Sequence, residues 1–180
     1  MQIHEPTMEE MQARVARYDA LSASRQAFVD TRIPEYERDI YNVIGRGVTE
    51  DPALAPAIAD ARYFGITYVG ADPGKGAALH AHETIEVFIP LSGRWAACWG
   101  EAGDKEIIVE PFDVISFPPG CYRGFRNVGD SHAMLMAIIG SHPDTGDGGH
   151  VDWAPRILER SRETGLERDA SGNLRERGSG

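Results

Sequence analysis

Between Arg62 and Ile139 the chain changes character every few residues, from short runs of β-branched, aromatic and aliphatic side chains to clusters of turn formers. The runs are Arg62–Val69, Ala77–His82, Ile85–Pro90, Arg94–Trp99, Glu106–Val109, Asp113–Phe117, Tyr122–Asn127 and His132–Ile139. Between them stand Asp72-Pro73-Gly74, Leu91-Ser92-Gly93, Glu101-Ala102-Gly103-Asp104, Pro118-Pro119-Gly120 and Val128-Gly129. In such clusters glycine supplies positive φ, proline presets the turn, and Asp or Ser bonds to nearby backbone. A parallel sheet needs a crossover of a dozen or more residues between strands, usually a helix, and none fits here. Eight short strands so closely spaced predict an all-β antiparallel sandwich or barrel spanning residues 51–140.

The flanks read differently. Residues 1–50 predict a helical extension, because Thr7 and Glu10 form a capping box and Met8, Met11, Val15 and Tyr18 recur at helical spacing. Ile33-Pro34 closes that zone, since a residue before proline avoids helical angles. Residues 141–180 open with the loop Asp144-Thr145-Gly146-Asp147-Gly148-Gly149, followed by a short helix with Pro155 in its first turn and Ile157-Leu158 on its apolar face. Beyond Gly165 the polar tail is expected to fray, most of all after residue 170.

Composition narrows the partners. Asp and Glu number 28 against 18 Lys and Arg, a net charge of −10, so nucleic acid and anionic membrane are not expected. The longest apolar run, Ala133–Ile139, falls far short of the ~20 residues a spanning helix needs. No basic, then apolar leader opens the chain, and the two cysteines, Cys98 and Cys121, lie in apolar stretches without basic neighbours. A reduced, cytoplasmic protein with packed thiols is the expectation.

Chemistry concentrates in Gly74-Lys75-Gly76-Ala77-Ala78-Leu79-His80-Ala81-His82-Glu83-Thr84-Ile85-Glu86. Residues two apart on a strand share a face, so His80 and His82 present two imidazoles to one side, and Glu86 has the same parity. Two imidazoles and a carboxylate form a facial ligand set that suits Fe(II) and leaves positions open. The plainer alternative has two solvent-facing histidines and a Glu86 paired with an arginine.

These residues resemble the first motif of the cupin superfamily: glycine, five residues, His-x-His, three residues, glutamate, six residues, glycine. Gly74, His80, His82, Glu86 and Gly93 match every anchor. The second motif is matched at Pro118, Gly120 and Asn127, with Phe112 in place of a glycine and Arg123 in place of a histidine. The resemblance implies a double-stranded β-helix (jelly-roll) barrel, pairing into a homodimer, and one divalent transition metal on His80, His82 and Glu86. Fe(II) is the first expectation, with Mn, Ni or Zn as alternatives. Arginine has no lone pair and cannot ligate. Arg123 is therefore expected either to orient an anionic substrate through its guanidinium fork or to pair with Glu86.

A two-residue Val128-Gly129 hairpin would put Asn127 opposite Asp130 and Phe125 opposite His132, making His132 a fourth ligand or a packing residue. Phe88 and Phe125 share parity with Glu86 and Arg123 and are expected to line the cavity. Trp95 and Trp99 share one strand face, Tyr36 and Tyr41 are placed over the barrel mouth, and His142 and His150 are expected in solvent. The functional expectation is a metal-dependent, dioxygenase-like enzyme acting on a small anionic or enolisable molecule. An oxygen-free isomerase or lyase and a non-catalytic small-molecule binder are the alternatives.

Overall fold

The computed structural model describes residues 3–60, 62–142, 144, 146 and 148–178. Thr145 and Asp147 of the expected glycine-rich loop lie outside them. The strands are β1 (Asp39–Ile44), β2 (Phe64–Ala71), β3 (Gly76–Ala81), β4 (Glu86–Pro90), β5 (Trp95–Trp99) and β6 (Lys105–Val109). They continue with β7 (Ile115–Phe117), β8 (Arg123–Asn127), β9 (Ala133–Gly140), β10 (Asp152–Trp153), β11 (Leu166–Arg168) and β12 (Leu174–Glu176). Two short α-helices, α1 (Met8–Gln12) and α2 (Pro155–Glu163), flank the strands. One sheet runs β1-β2-β9-β4-β7 and the other β10-β3-β8-β5-β6, all antiparallel; β11 and β12 form a hairpin. Each of the eight strands read from the sequence is present. No helix among the described residues is long and apolar enough to cross a membrane.

The core between the sheets is aromatic. Phe125 meets Phe88 edge-on at 5.1 Å between ring centroids and Trp95 at 5.7 Å, and Phe88 packs on Phe117 at 5.2 Å. Such pairs add about 0.5–1.5 kcal/mol beyond the area they bury. Trp95 is fully buried, whereas Trp99 is only partly so.

Three expectations need correcting. The capping box at Thr7 and Glu10 forms, but α1 ends after Gln12 and buries nothing; Met8, Met11, Val15 and Tyr18 are all exposed. Residues 39–44 instead contribute β1, an edge strand on β2. The tail beyond Gly165 folds into the β11–β12 hairpin, held by the buried Leu166 and by Asp169, which accepts from the backbone N–H groups of Ser171 and Asn173. Finally, β8 pairs with β3 and β5 while β9 pairs with β2 and β4, so residues 128–132 cross between sheets instead of turning a hairpin. Asn127 organises that crossing: its Nδ2 donates to Ala71 O and Ser131 O, each at 2.8 Å, and its Oδ1 accepts from Gly129 N at 2.9 Å.

Glu50 ties the outer segments to the barrel. Its Oε2 accepts from Val29 N (2.7 Å), its Oε1 from Trp153 Nε1 (2.8 Å), Arg168 lies 3.3 Å from it, and its backbone carbonyl accepts from Leu174 N. Burial pushes this carboxyl up to about 7, against the pull of the Trp153 and Val29 N–H groups and the Arg168 charge. A folded-state value above the unfolded one means that the native chain holds the proton more tightly. Its contribution is full below about pH 4.5 and is lost as pH rises through about 7. Denaturant midpoints measured from pH 4.5 to 7.5 should therefore show wild type losing on the order of 2–3 kcal/mol relative to Glu50→Gln across that window. Parallel pH profiles for the two proteins would refute this.

Phe112, standing where the second motif has glycine, adopts φ 72° with an 80% exposed side chain. The left-handed region costs an L-residue about 1–2 kcal/mol, and little packing offsets it here. Phe112→Gly is expected to raise stability by about 0.5–1 kcal/mol in equilibrium unfolding, net of the extra freedom glycine gains in the unfolded chain.

Candidate metal centre

The centre is assembled where the chain changes sheets. His80 lies near the end of β3 in one sheet, Glu86 opens β4 in the other, and His82 occupies the corner between them. Before reaching that corner, β3 carries a bulge: Ala77 pairs with Phe125 and His80 with Arg123, so three steps on β3 match two on β8. Gly124 permits the close approach, since a Cβ there would lie 2.7 Å from Ala77 O. A bulge leaves backbone groups unpaired within its ladder. Here Asp30 Oδ2 accepts from Ala78 N at 3.0 Å, and His80 Nδ1 lies 2.8 Å from Ala78 O. Asp30 is in turn held by a bidentate pair to Arg38, at 2.9 and 3.0 Å, with both side chains buried.

The contact with Ala78 O requires the His80 proton on Nδ1, leaving the Nε2 lone pair to face inward. His82 is oriented in the same way: its Nδ1 lies 3.1 Å from Thr84 O and 2.9 Å from Thr84 Oγ1, whose own hydrogen goes to Gly148 O. Glu86 Oε2 is 3.3 Å from His82 Nε2 and 3.9 Å from His80 Nε2. All three side chains are buried, with one donor atom from each within 4.8 Å of the others. Burial, followed by the Arg123 charge, brings His80 down to about 3, so its ring is neutral. Burial alone would raise Glu86; the adjoining His82 and Arg123 outweigh it and bring the carboxyl to about 2.

Two neutral-type imidazole nitrogens and an ionised carboxylate, each aimed by a hydrogen bond or a charge behind it, fit one divalent ion with bonds about 2.0–2.2 Å long. Arg123 shares this space. It is fully buried, its Nε donates to Glu86 Oε2 at 2.8 Å, its Nη1 donates to Cys121 O at 3.0 Å, and its Nη2 contacts His82 Nε2.

The other expected site residues divide. Phe125 lines the cavity beside His80 and Glu86, whereas Phe88 lies behind it in the aromatic core. His132 is not brought to the centre: it lies exposed, one residue before β9, and pairs with Asp72 at 3.0 Å, because the crossing after Asn127 replaces the expected hairpin. His142 pairs with Glu83 at 3.1 Å, and His150 is exposed.

Tyr36 and Tyr41 do not cover the mouth, being engaged with Arg160 and Tyr18. The cover is Phe28 and Trp153, whose rings meet edge-on at 6.2 Å, with Trp153 5.4 Å from the His80 ring. Thr84, Phe28 and Trp153 carried no signal in the sequence; only the fold brings them to the triad. The cavity beside His80 and Glu86 measures about 40 Å³, room for an ion and little more, against roughly 300–1,000 Å³ for a drug-sized site.

No curated protein matches the chain. Among solved structures, the polyketide cyclase RemF from Streptomyces resistomycificus aligns at TM-score 0.50 and 16% identity, over 70% of this chain and 78% of that one. An RmlC-like cupin from Shewanella frigidimarina aligns at TM-score 0.49 and 10% identity, over 72% and 92%. The DMSP lyase DddQ from Ruegeria pomeroyi aligns at TM-score 0.47 and 20% identity, covering 59% of this chain and only 48% of that one. At such identities the likeness concerns the fold. A cupin domain profile matches residues 67–139, from β2 to β9. That segment contains both motifs and the whole triad, and the two antiparallel sheets close around it, so residues 67–139 match a cupin domain and the fold is the double-stranded β-helix of cupins.

Proposed function

We propose that this chain is a metal-dependent cupin enzyme that transforms a small anionic or enolisable organic molecule at His80, His82 and Glu86. The observation that carries the reading is the convergence of three buried donors from two sheets and the corner between them. The donor set suits Fe(II), with Mn, Ni or Zn as alternatives. When bound, such an ion supplies Lewis acidity toward a substrate oxygen and, as Fe(II), access to oxidative chemistry. The protein's part is orientation and exclusion. Ala78 O and Thr84 fix the rings, Phe125, Val69 and Ile139 keep the walls apolar, and Phe28 with Trp153 roofs the cavity. A cavity of about 40 Å³ limits the substrate to a few heavy atoms unless that roof moves.

The contacts of Arg123 with Glu86 and His82 favour a second reading, a metal-free barrel that binds a small molecule without turnover. Supplying Fe(II) to the purified protein and following a panel of keto acids, diketones and phenolic acids, with and without oxygen, separates the readings. Uptake of one equivalent with oxygen consumption supports an oxygenase, and turnover under argon supports an isomerase or lyase. No uptake at saturating metal sinks the metal-dependent reading. His82→Ala is expected to abolish uptake, and Thr84→Val to weaken it about 10–100-fold by releasing the ring.

A further inference from the structure

We propose that Arg123 is the triad's resident counter-cation, and that a metal ion enters only by displacing its guanidinium, so the two occupy the centre in mutual exclusion. The inference rests on the metal-dependent reading and adds the regulation of that site. His82 has one lone pair to offer, because its Nδ1 must donate: Thr84 O is an obligate acceptor, and the Thr84 hydroxyl has committed its hydrogen to Gly148 O. That lone pair, on Nε2, meets Arg123 Nη2, a group that can only donate. At the same time Arg123 Nε donates to Glu86 Oε2, the oxygen nearest both imidazole Nε2 atoms. A metal held by the three residues needs the same His82 lone pair, and one lone pair cannot serve two cations.

Displacement is costly because Arg123 has nowhere wet to go. Its side chain has no solvent exposure, Nη1 is tethered to Cys121 O, and β8 fixes its backbone between His80 on β3 and Trp99 on β5. Guanidinium does not deprotonate in proteins, so its charge stays in the cavity after the exchange. Opening a buried ion pair of this kind lowers apparent metal affinity by about 100-fold or more relative to a triad without the arginine.

Calorimetric titration of Co(II) into wild type, Arg123→Gln and Arg123→His, all as full chains, tests the exchange, with thermal unfolding read alongside. Expected are one equivalent bound about 100-fold or more tighter by Arg123→Gln than by wild type, and tight binding by Arg123→His, where an acceptor replaces the donor. Both variants should melt below wild type without Co(II) and gain several degrees with it, while wild type barely shifts at the same concentration. Equal, tight affinity in all three proteins overturns the exchange and leaves the metal-dependent reading standing. Absence of binding in all three overturns that reading and the exchange with it. Should Arg123→Gln fail to fold, the same comparison of Arg123→His with wild type decides.

Discussion

A guanidinium with no access to water has to be neutralised where it lies, and in this barrel that requirement joins the two sheets. Arg123 comes from the sheet containing β3 and β5, and its partner Glu86 comes from the sheet containing β9 and β7. Between them His82, at the corner where the chain passes from one sheet to the other, accepts a further guanidinium N–H. Removing either charged partner would strand the other in a low-dielectric interior, at a cost of about 3–5 kcal/mol. The sheets are therefore held in register by a polar contact at one end and by the Phe88, Phe117, Phe125 and Trp95 cluster deeper in.

The same logic extends outward from the centre. The β3 bulge turns His80 to its place but frees the Ala78 N–H and carbonyl, and both are taken up by groups that serve the site. Asp30 accepts the N–H and is itself neutralised by Arg38, whose Nη1 also donates to Tyr36 O and Gly76 O. The segment before β1 thus carries a second buried ion pair and is fastened to β3 through its bonds to Ala78 N and Gly76 O. Glu50 fastens it from the other side through Val29 N and Trp153 Nε1, which keeps Phe28 and Trp153 over the triad. Access to the cavity and the integrity of the outer segments depend on the same few contacts.

Much of this was legible because turn chemistry is local. Glycines such as Gly93, with φ 68° and Ala133 Cβ only 2.4 Å from where its own Cβ would lie, mark strand ends that a linear reading recovers. His80, His82 and Glu86 were legible for the same reason: one bulged strand, one corner and one strand start lie within seven consecutive residues. What stayed hidden was decided by distant contacts. In β1 the polar Asn42 is buried, bonding to Arg46 O and Leu54 O, so the apolar alternation that reveals a strand is broken. The β11–β12 hairpin has few apolar anchors, and its placement follows from Glu50 and Arg32, far away in sequence. The path after Asn127 looked like a hairpin because Val128-Gly129 permits one; the three bonds of the Asn127 side chain instead shape a crossing, and His132 goes outward with it.

Charge balance gives the arginine substitution its consequence. With Arg123 on Glu86 and His80 neutral, one positive charge meets one negative charge, and such a centre can be dry. A divalent ion on the triad would leave the cavity with Glu86 set against three positive charges, since the guanidinium keeps its proton. Low dielectric makes that excess costly unless an anion enters with the metal. A histidine at position 123 would ligate the ion and add no charge. On the proposed metal-dependent reading, an arginine there would couple metal loading to an anionic ligand, each raising the affinity for the other by the same factor. On the metal-dependent reading proposed above, the residue that removes a ligand from the motif would favour a negatively charged substrate, and a centre that stays neutral until both components arrive.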